Sequence, residues 1–105
     1  IGLETCLAVC LGVLHDTDKA SLSEIVAWLT HKPAAILGLE VGTLSDGTAA
    51  DICIFDPGET WEVNSKTLHG RSTNSPWLGK TLQGRIRTTI VAGRKVFQDN
   101  TILEP

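Results

Sequence analysis

The sequence predicts an α+β chain, a helical third followed by a β-rich two-thirds. Three observations carry that reading. Apolar residues at Leu3, Cys6, Leu7, Cys10, Val13 and Leu14 follow the i, i+3, i+4, i+7 spacing of one buried helical stripe. Ser21 and Glu24 form a Ser-x-x-Glu capping box ahead of a second apolar pattern. After Leu39 the periodicity changes, and β-branched runs bounded by Gly, Asp and Pro read as strands with their turns.

The first helix is expected over residues 3–14, followed by a polar break at His15-Asp16-Thr17-Asp18-Lys19. The second starts after Ser21, with Ile25, Val26, Trp28 and Leu29 on its apolar side. Lys32-Pro33 should end it, because proline lacks the N–H donor and restricts the residue before it. Pro33 can then open a short third helix, Pro33–Leu37, closed by Gly38 in a left-handed cap. Gly47 marks a turn before the strand Ala50–Phe55, whose apolar residues on both sides suggest burial on both faces. Asp56-Pro57-Gly58 reads as a turn and Thr60–Val63 as a short strand. Residues 64–80 form an ordered loop anchored by Trp77. Leu82–Val91 and Lys95–Phe97 make a hairpin about Ala92-Gly93, and the tail after Asp99 is an edge or a frayed end.

One small domain, or a piece of a larger one, is what 105 residues allow. The formal charge of −3 gives no electrostatic reason to expect nucleic acid or an anionic membrane as partner. No apolar run has the length of a membrane span, and no signal peptide is recognisable. The chain contains no Met and begins almost inside a helix, so we expect a piece of a longer protein. An odd count of cysteines (Cys6, Cys10 and Cys53) argues against a secreted disulfide framework and fits a reducing cytoplasm. Cys6 and Cys10, four apart on one helix face, have the spacing of half a metal site. The apolar surface around them favours buried structural thiols.

Candidate chemistry is sparse. His15, His31 and His69 are isolated, without His-x-His, His-Glu-x-x-His or Cys-x-x-Cys spacing. His15 with Asp16 and Asp18 reads as a solvated loop, and His31 as a helix-end residue. Gly79-Lys80-Thr81 lacks the upstream glycine of a phosphate loop and leads to a strand instead of a helix. Ser72, Ser75 and Asp56 can be cast with His69 as a triad, but no nucleophile elbow accompanies them. Arg85 and Arg87 share a strand face; a solvated sheet face is the default and an anion site the alternative. No catalytic or metal-binding residue is assigned.

Several motifs in order resemble one family. These are Gly2-Leu3-Glu4-Thr5, Leu29-Thr30-His31-Lys32-Pro33-Ala34, Gly42-Thr43-Leu44, Ala50-Asp51-Ile52-Cys53-Ile54-Phe55-Asp56, Trp61-Glu62-Val63, Asn74-Ser75-Pro76-Trp77 and Gly93-Arg94-Lys95-Val96. Together the chain resembles the C-terminal segment of a dihydroorotase of the amidohydrolase superfamily. The strand and hairpin motifs are also similar to those of hydantoinases and allantoinases. The resemblance implies an α+β fragment: residues 1–38 as the last helices of a (β/α)8 metal-dependent hydrolase barrel, and residues 39–105 as the C-terminal strands of a small composite β-sandwich. It further implies reversible cyclisation of N-carbamoyl-L-aspartate to dihydroorotate in pyrimidine synthesis, with zinc in the parent protein and none bound by this segment. The family's metal ligands and catalytic Asp lie upstream, so only Ile1 and Gly2 border the substrate loop. Expected partners are the rest of the parent chain, a second copy in a homo-oligomer, and aspartate transcarbamoylase if the parent is a non-catalytic scaffold. The expected location is the cytoplasm. Alone, the segment should be marginally stable or self-associating, because missing partners leave sheet edges and helix faces open.

Overall fold

A computed structural model describes residues 2–103, and its helices and strands divide near residue 39, as the periodicity predicts. The first helix is shorter at its start than expected. Helix α1 covers Cys6–Cys10, and its continuation over Leu11–His15 is π-helical. Leu3 lies in a turn and is 95% exposed, so it takes no part in the buried stripe. The Asp16 N–H reaches Leu11 O at 3.0 Å and the Lys19 N–H reaches Leu14 O at 2.9 Å, five residues back instead of four. The buried face is centred on Ala8 and Leu11, with Leu7, Cys10 and Leu14 beside it. Val13 is exposed. The cysteines also depart from expectation: Cys6 and Cys53 are exposed, and Cys10 is half-buried.

Helix α2, Leu22–Leu29, starts as the capping box requires. The Glu24 N–H donates to Ser21 Oγ and the Ser21 N–H to Glu24 Oε1, both at 3.2 Å. Its buried residue is Ile25, which joins Leu11 and Ala20 in the core. The helix stops at Leu29 because Thr30 leaves helical geometry, at φ −129° and ψ −95°. Helix α3 is His31–Leu37, so Pro33 is its third residue instead of its first. That position still needs no intrahelical N–H, which is why proline is tolerated there. Gly38, at φ 70°, closes α3 with bonds from Leu39 N to Ala34 O and from Gly38 N to Ala35 O. This is the Schellman arrangement.

Four strands form one antiparallel meander in chain order: β1 Ile52–Glu62, β2 Thr81–Val91, β3 Arg94–Gln98 and β4 Thr101–Ile102. The turn expected at Asp56-Pro57-Gly58 is instead a bulge inside β1, which unites the two predicted short strands. Asp56 faces Arg85 and Thr60 faces Gln83, leaving Pro57, Gly58 and Glu59 opposite Gly84 alone. β1 is not covered on both faces within the described residues, since Ile54 is 51% exposed. The hairpin about Ala92-Gly93 forms as expected, with both residues at positive φ (50° and 80°). Within the described part of the tail, Thr101–Ile102 forms an edge strand rather than a frayed end. Asp99 and Asn100, at φ 49° and 64°, make a second two-residue turn, and Ile102 pairs with Phe97.

The loop from 64 to 80 is ordered at its neck. The Val63 N–H donates to Lys80 O at 2.9 Å, and Val63 O accepts from Gly79 N at 2.7 Å. Val63 and Leu68 are buried beneath it, and Trp77 is half-buried. No helix among the described residues is long and apolar enough to cross a membrane.

Candidate functional site

Helix α1 and its continuation cross β2 at Gly84, where an added Cβ would force the Leu11 side chain to shift. A Cβ there would lie 2.7 Å from Leu11 Cδ1 and 3.7 Å from Ala8 Cα. Gly84 also has φ 106°, a backbone region that L side chains rarely adopt. Beside this crossing, α1 and the sheet enclose a concavity of about 570 Å³. Leu7, Ala8, Trp61, Ile86, Val96 and Phe97 supply much of its apolar lining. The Trp61 indole donates to Gly84 O at 2.8 Å, which holds the ring against the bulge.

The polar rim is engaged with its own neighbours. Both oxygens of the Glu4 carboxylate accept backbone N–H groups, from His69 at 2.7 Å and Gly70 at 3.0 Å. The His69 Nε2 lies 2.9 Å from Asn100 Oδ1, and its ring meets Phe97 edge-on at 5.5 Å. Thr67 Oγ1 donates to Glu62 O at 2.7 Å. Arg85 reaches Glu59 at 3.4 Å. Arg87 sits 2.8 Å from Glu59 and 2.7 Å from Asp99. The two arginines do share a face, but carboxylates of this chain answer them, so the stripe is not an open anion site.

The other sequence candidates are dispersed. Ile1 lies outside the described residues. Gly2 is exposed, and its carbonyl accepts the Thr5 hydroxyl at 3.4 Å. His15 lies 3.5 Å from Asp16, both well exposed, and His31 opens α3 on the surface. Ser72 Oγ, Ser75 Oγ and Asp56 Oδ1 each accept a backbone N–H two residues ahead, so the would-be triad members stabilise their own turns. Among the described residues no three of His, Cys, Asp and Glu gather where one ion could bind them. These described residues do not fit a zinc centre. The sequence offered no signal for the Glu4 clasp, because its partners are 65 and 66 positions away and the bonded groups are backbone N–H.

Comparison with known proteins gives this arrangement its context. The dihydroorotase of Anaeromyxobacter dehalogenans is 41% identical over 102 residues, 95% of this chain and 23% of its own length. The dihydroorotase of Pelobacter propionicus is 42% identical over 98 residues, 93% of this chain. The chain therefore spans about a quarter of the length of the curated relatives it matches. Among solved structures, the L-hydantoinase (dihydropyrimidinase) of Arthrobacter aurescens superposes with a TM-score of 0.88 at 29% identity, covering 99% of this chain and 24% of that one. A D-hydantoinase from a Thermus species shares the fold, with a TM-score of 0.87 at 21% identity over 99% of this chain and 23% of that one. The amidohydrolase family model matches residues 3–96, nearly the whole sequence, and the chain belongs to the amidohydrolase family.

Proposed function

We propose that this chain is the C-terminal part of a zinc-dependent dihydroorotase, which interconverts N-carbamoyl-L-aspartate and dihydroorotate in pyrimidine synthesis. The observation that carries the reading is the identity near 40% to curated dihydroorotases over more than nine-tenths of the chain. In this reading the active site and its zinc lie in the remainder of the protein, and the chain's own contribution is architectural. Residues 1–38 supply the last barrel helices and residues 39–105 the closing strands of a composite sandwich. Exposed apolar residues on the helices support the division, with Trp28, Leu29, Ile36 and Leu37 all at the surface. The parent acts in the cytoplasm as a homo-oligomer.

The likeness to the L-hydantoinase structure favours one second reading, a hydantoinase of the same family. The full-length protein carrying this chain should be assayed with dihydroorotate, hydantoin and allantoin. Turnover of dihydroorotate alone supports the proposal. Turnover of hydantoin or allantoin without dihydroorotate moves the assignment to that enzyme. No turnover, together with co-purification of aspartate transcarbamoylase, makes the parent a non-catalytic scaffold.

A further inference from the structure

Cys6 and Cys10 open and close the five-residue helix α1, and both are free thiols. Four-residue spacing puts them on one helix face with Cβ atoms about 5–6 Å apart. A disulfide needs Cβ atoms about 3.5–4.5 Å apart. A regular helix at this spacing therefore disfavours a disulfide between the two. On this segment Cys6 is exposed, and the half-buried Cys10 sits one turn on. Cys10 packs against the core of Leu11, Ala20 and Ile25, and Cys6 lies outside it.

The ligand class follows from what the pair has and lacks. Zinc at a structural site takes four ligands, commonly thiolate or imidazole. Here no third His, Cys, Asp or Glu among the described residues joins the two sulfurs. The Cys10 thiol is also pushed above its ordinary value of 9.0, first by burial and then by the adjoining Cys6 thiol. Two sulfurs without further ligands suit a soft centre that is satisfied by both and carries its own groups to take up their protons.

We propose that Cys6 and Cys10 form a two-thiol site for monosubstituted trivalent arsenicals. Each S–H bond breaks, two As–S bonds form, and the two protons leave with the two hydroxyls of the hydrated arsenical as two waters. Arsenic remains trivalent, so no oxidant or reductant is required. The third thiol, Cys53, belongs to β1 and serves as an internal control.

The test is intact-protein and peptide mass spectrometry of the reduced full-length protein exposed to phenylarsine oxide. One adduct should map to the peptide containing α1, survive excess monothiol and be removed by a dithiol. Cys6→Ser and Cys10→Ala should each weaken retention at least tenfold, while Cys53→Ser leaves it unchanged. Cys6→Ser is the primary variant because its side chain is exposed, and an unchanged melting temperature checks its fold. Absence of an adduct on that peptide, or an adduct that persists in Cys6→Ser, overturns the proposal. Neither result bears on the dihydroorotase assignment, which is judged by turnover alone.

Discussion

The Glu4 carboxylate accepts the His69 backbone N–H at 2.7 Å, so the residue just ahead of α1 holds a turn 65 positions further along the chain. Its second oxygen holds the next N–H, of Gly70, at 3.0 Å. Hydrogen bonds to a charged acceptor are stronger than neutral ones, although exposure at this site reduces the gain. Glu4→Ala should lower stability by about 1 kcal/mol. Hydrogen exchange should show the His69 and Gly70 amides losing protection before those of β2. Unchanged exchange at both amides would mean that the clasp does not form in solution.

The Gly84 crossing should be the least tolerant position in the sheet. Gly84→Ala meets Leu11 Cδ1 and forces a side chain onto a φ of 106°. Overpacking and backbone strain add, and the cost should be about 2–4 kcal/mol. Gly93→Ala is the comparison, since φ is positive there too but no atom lies within 4 Å of the added Cβ. Denaturant midpoints of the two variants should separate clearly. Equal midpoints would place α1 further from β2 than described.

The capping box predicts a defined pH response. Its hydrogen bonds with Ser21 hold the Glu24 carboxyl below its ordinary value of 4.5. A carboxyl depressed in the folded state adds stability above that value, and the addition is lost as pH falls through the folded pKa. Wild-type protein should therefore lose more stability than Glu24→Gln on acidification from pH 5 downward. Ser21→Ala should cost about 1 kcal/mol at neutral pH and flatten the same response. A parallel acid profile for all three proteins would count against the box.

Leu3, Ile36 and Leu44 are 95%, 85% and 79% exposed, and Trp28 is 43% exposed. Isolated surface apolar residues are ordinary, but these accompany an outer edge of β1 that no strand of the described sheet covers. The 105-residue chain expressed alone should sediment as associating species whose size rises with concentration. A monomer with a cooperative, high-temperature melt would show instead that these surfaces need no cover.

Several elements were legible in the sequence because their causes are local. Ser21 and Glu24 are three residues apart, Gly38 ends its own helix, and Ala92-Gly93 turns its own hairpin. Cys6 was misplaced for the opposite reason. Apolar periodicity marks a stripe but not which side of it meets the sheet, and contact with Gly84 selected Ala8 and Leu11. The trio of Ser72, Ser75 and Asp56 had no nucleophile elbow in the sequence to support a triad, and in the structure each side chain is taken up by a nearby backbone N–H.

By itself, then, the sequence determined the order of helix and strand, the caps, the two-residue turn at Ala92-Gly93 and the resemblance to the amidohydrolase family. These follow from backbone preferences acting over a few residues. Tertiary structure alone decided that Asp56-Pro57-Gly58 stays within β1, because β2 pairs on both sides of it and outweighs the local tendency to turn. It alone joined Glu4 to His69 and Glu59 to Arg87. Those partners meet only after the chain has paid the entropy of closing long loops, a condition that no short stretch of sequence records.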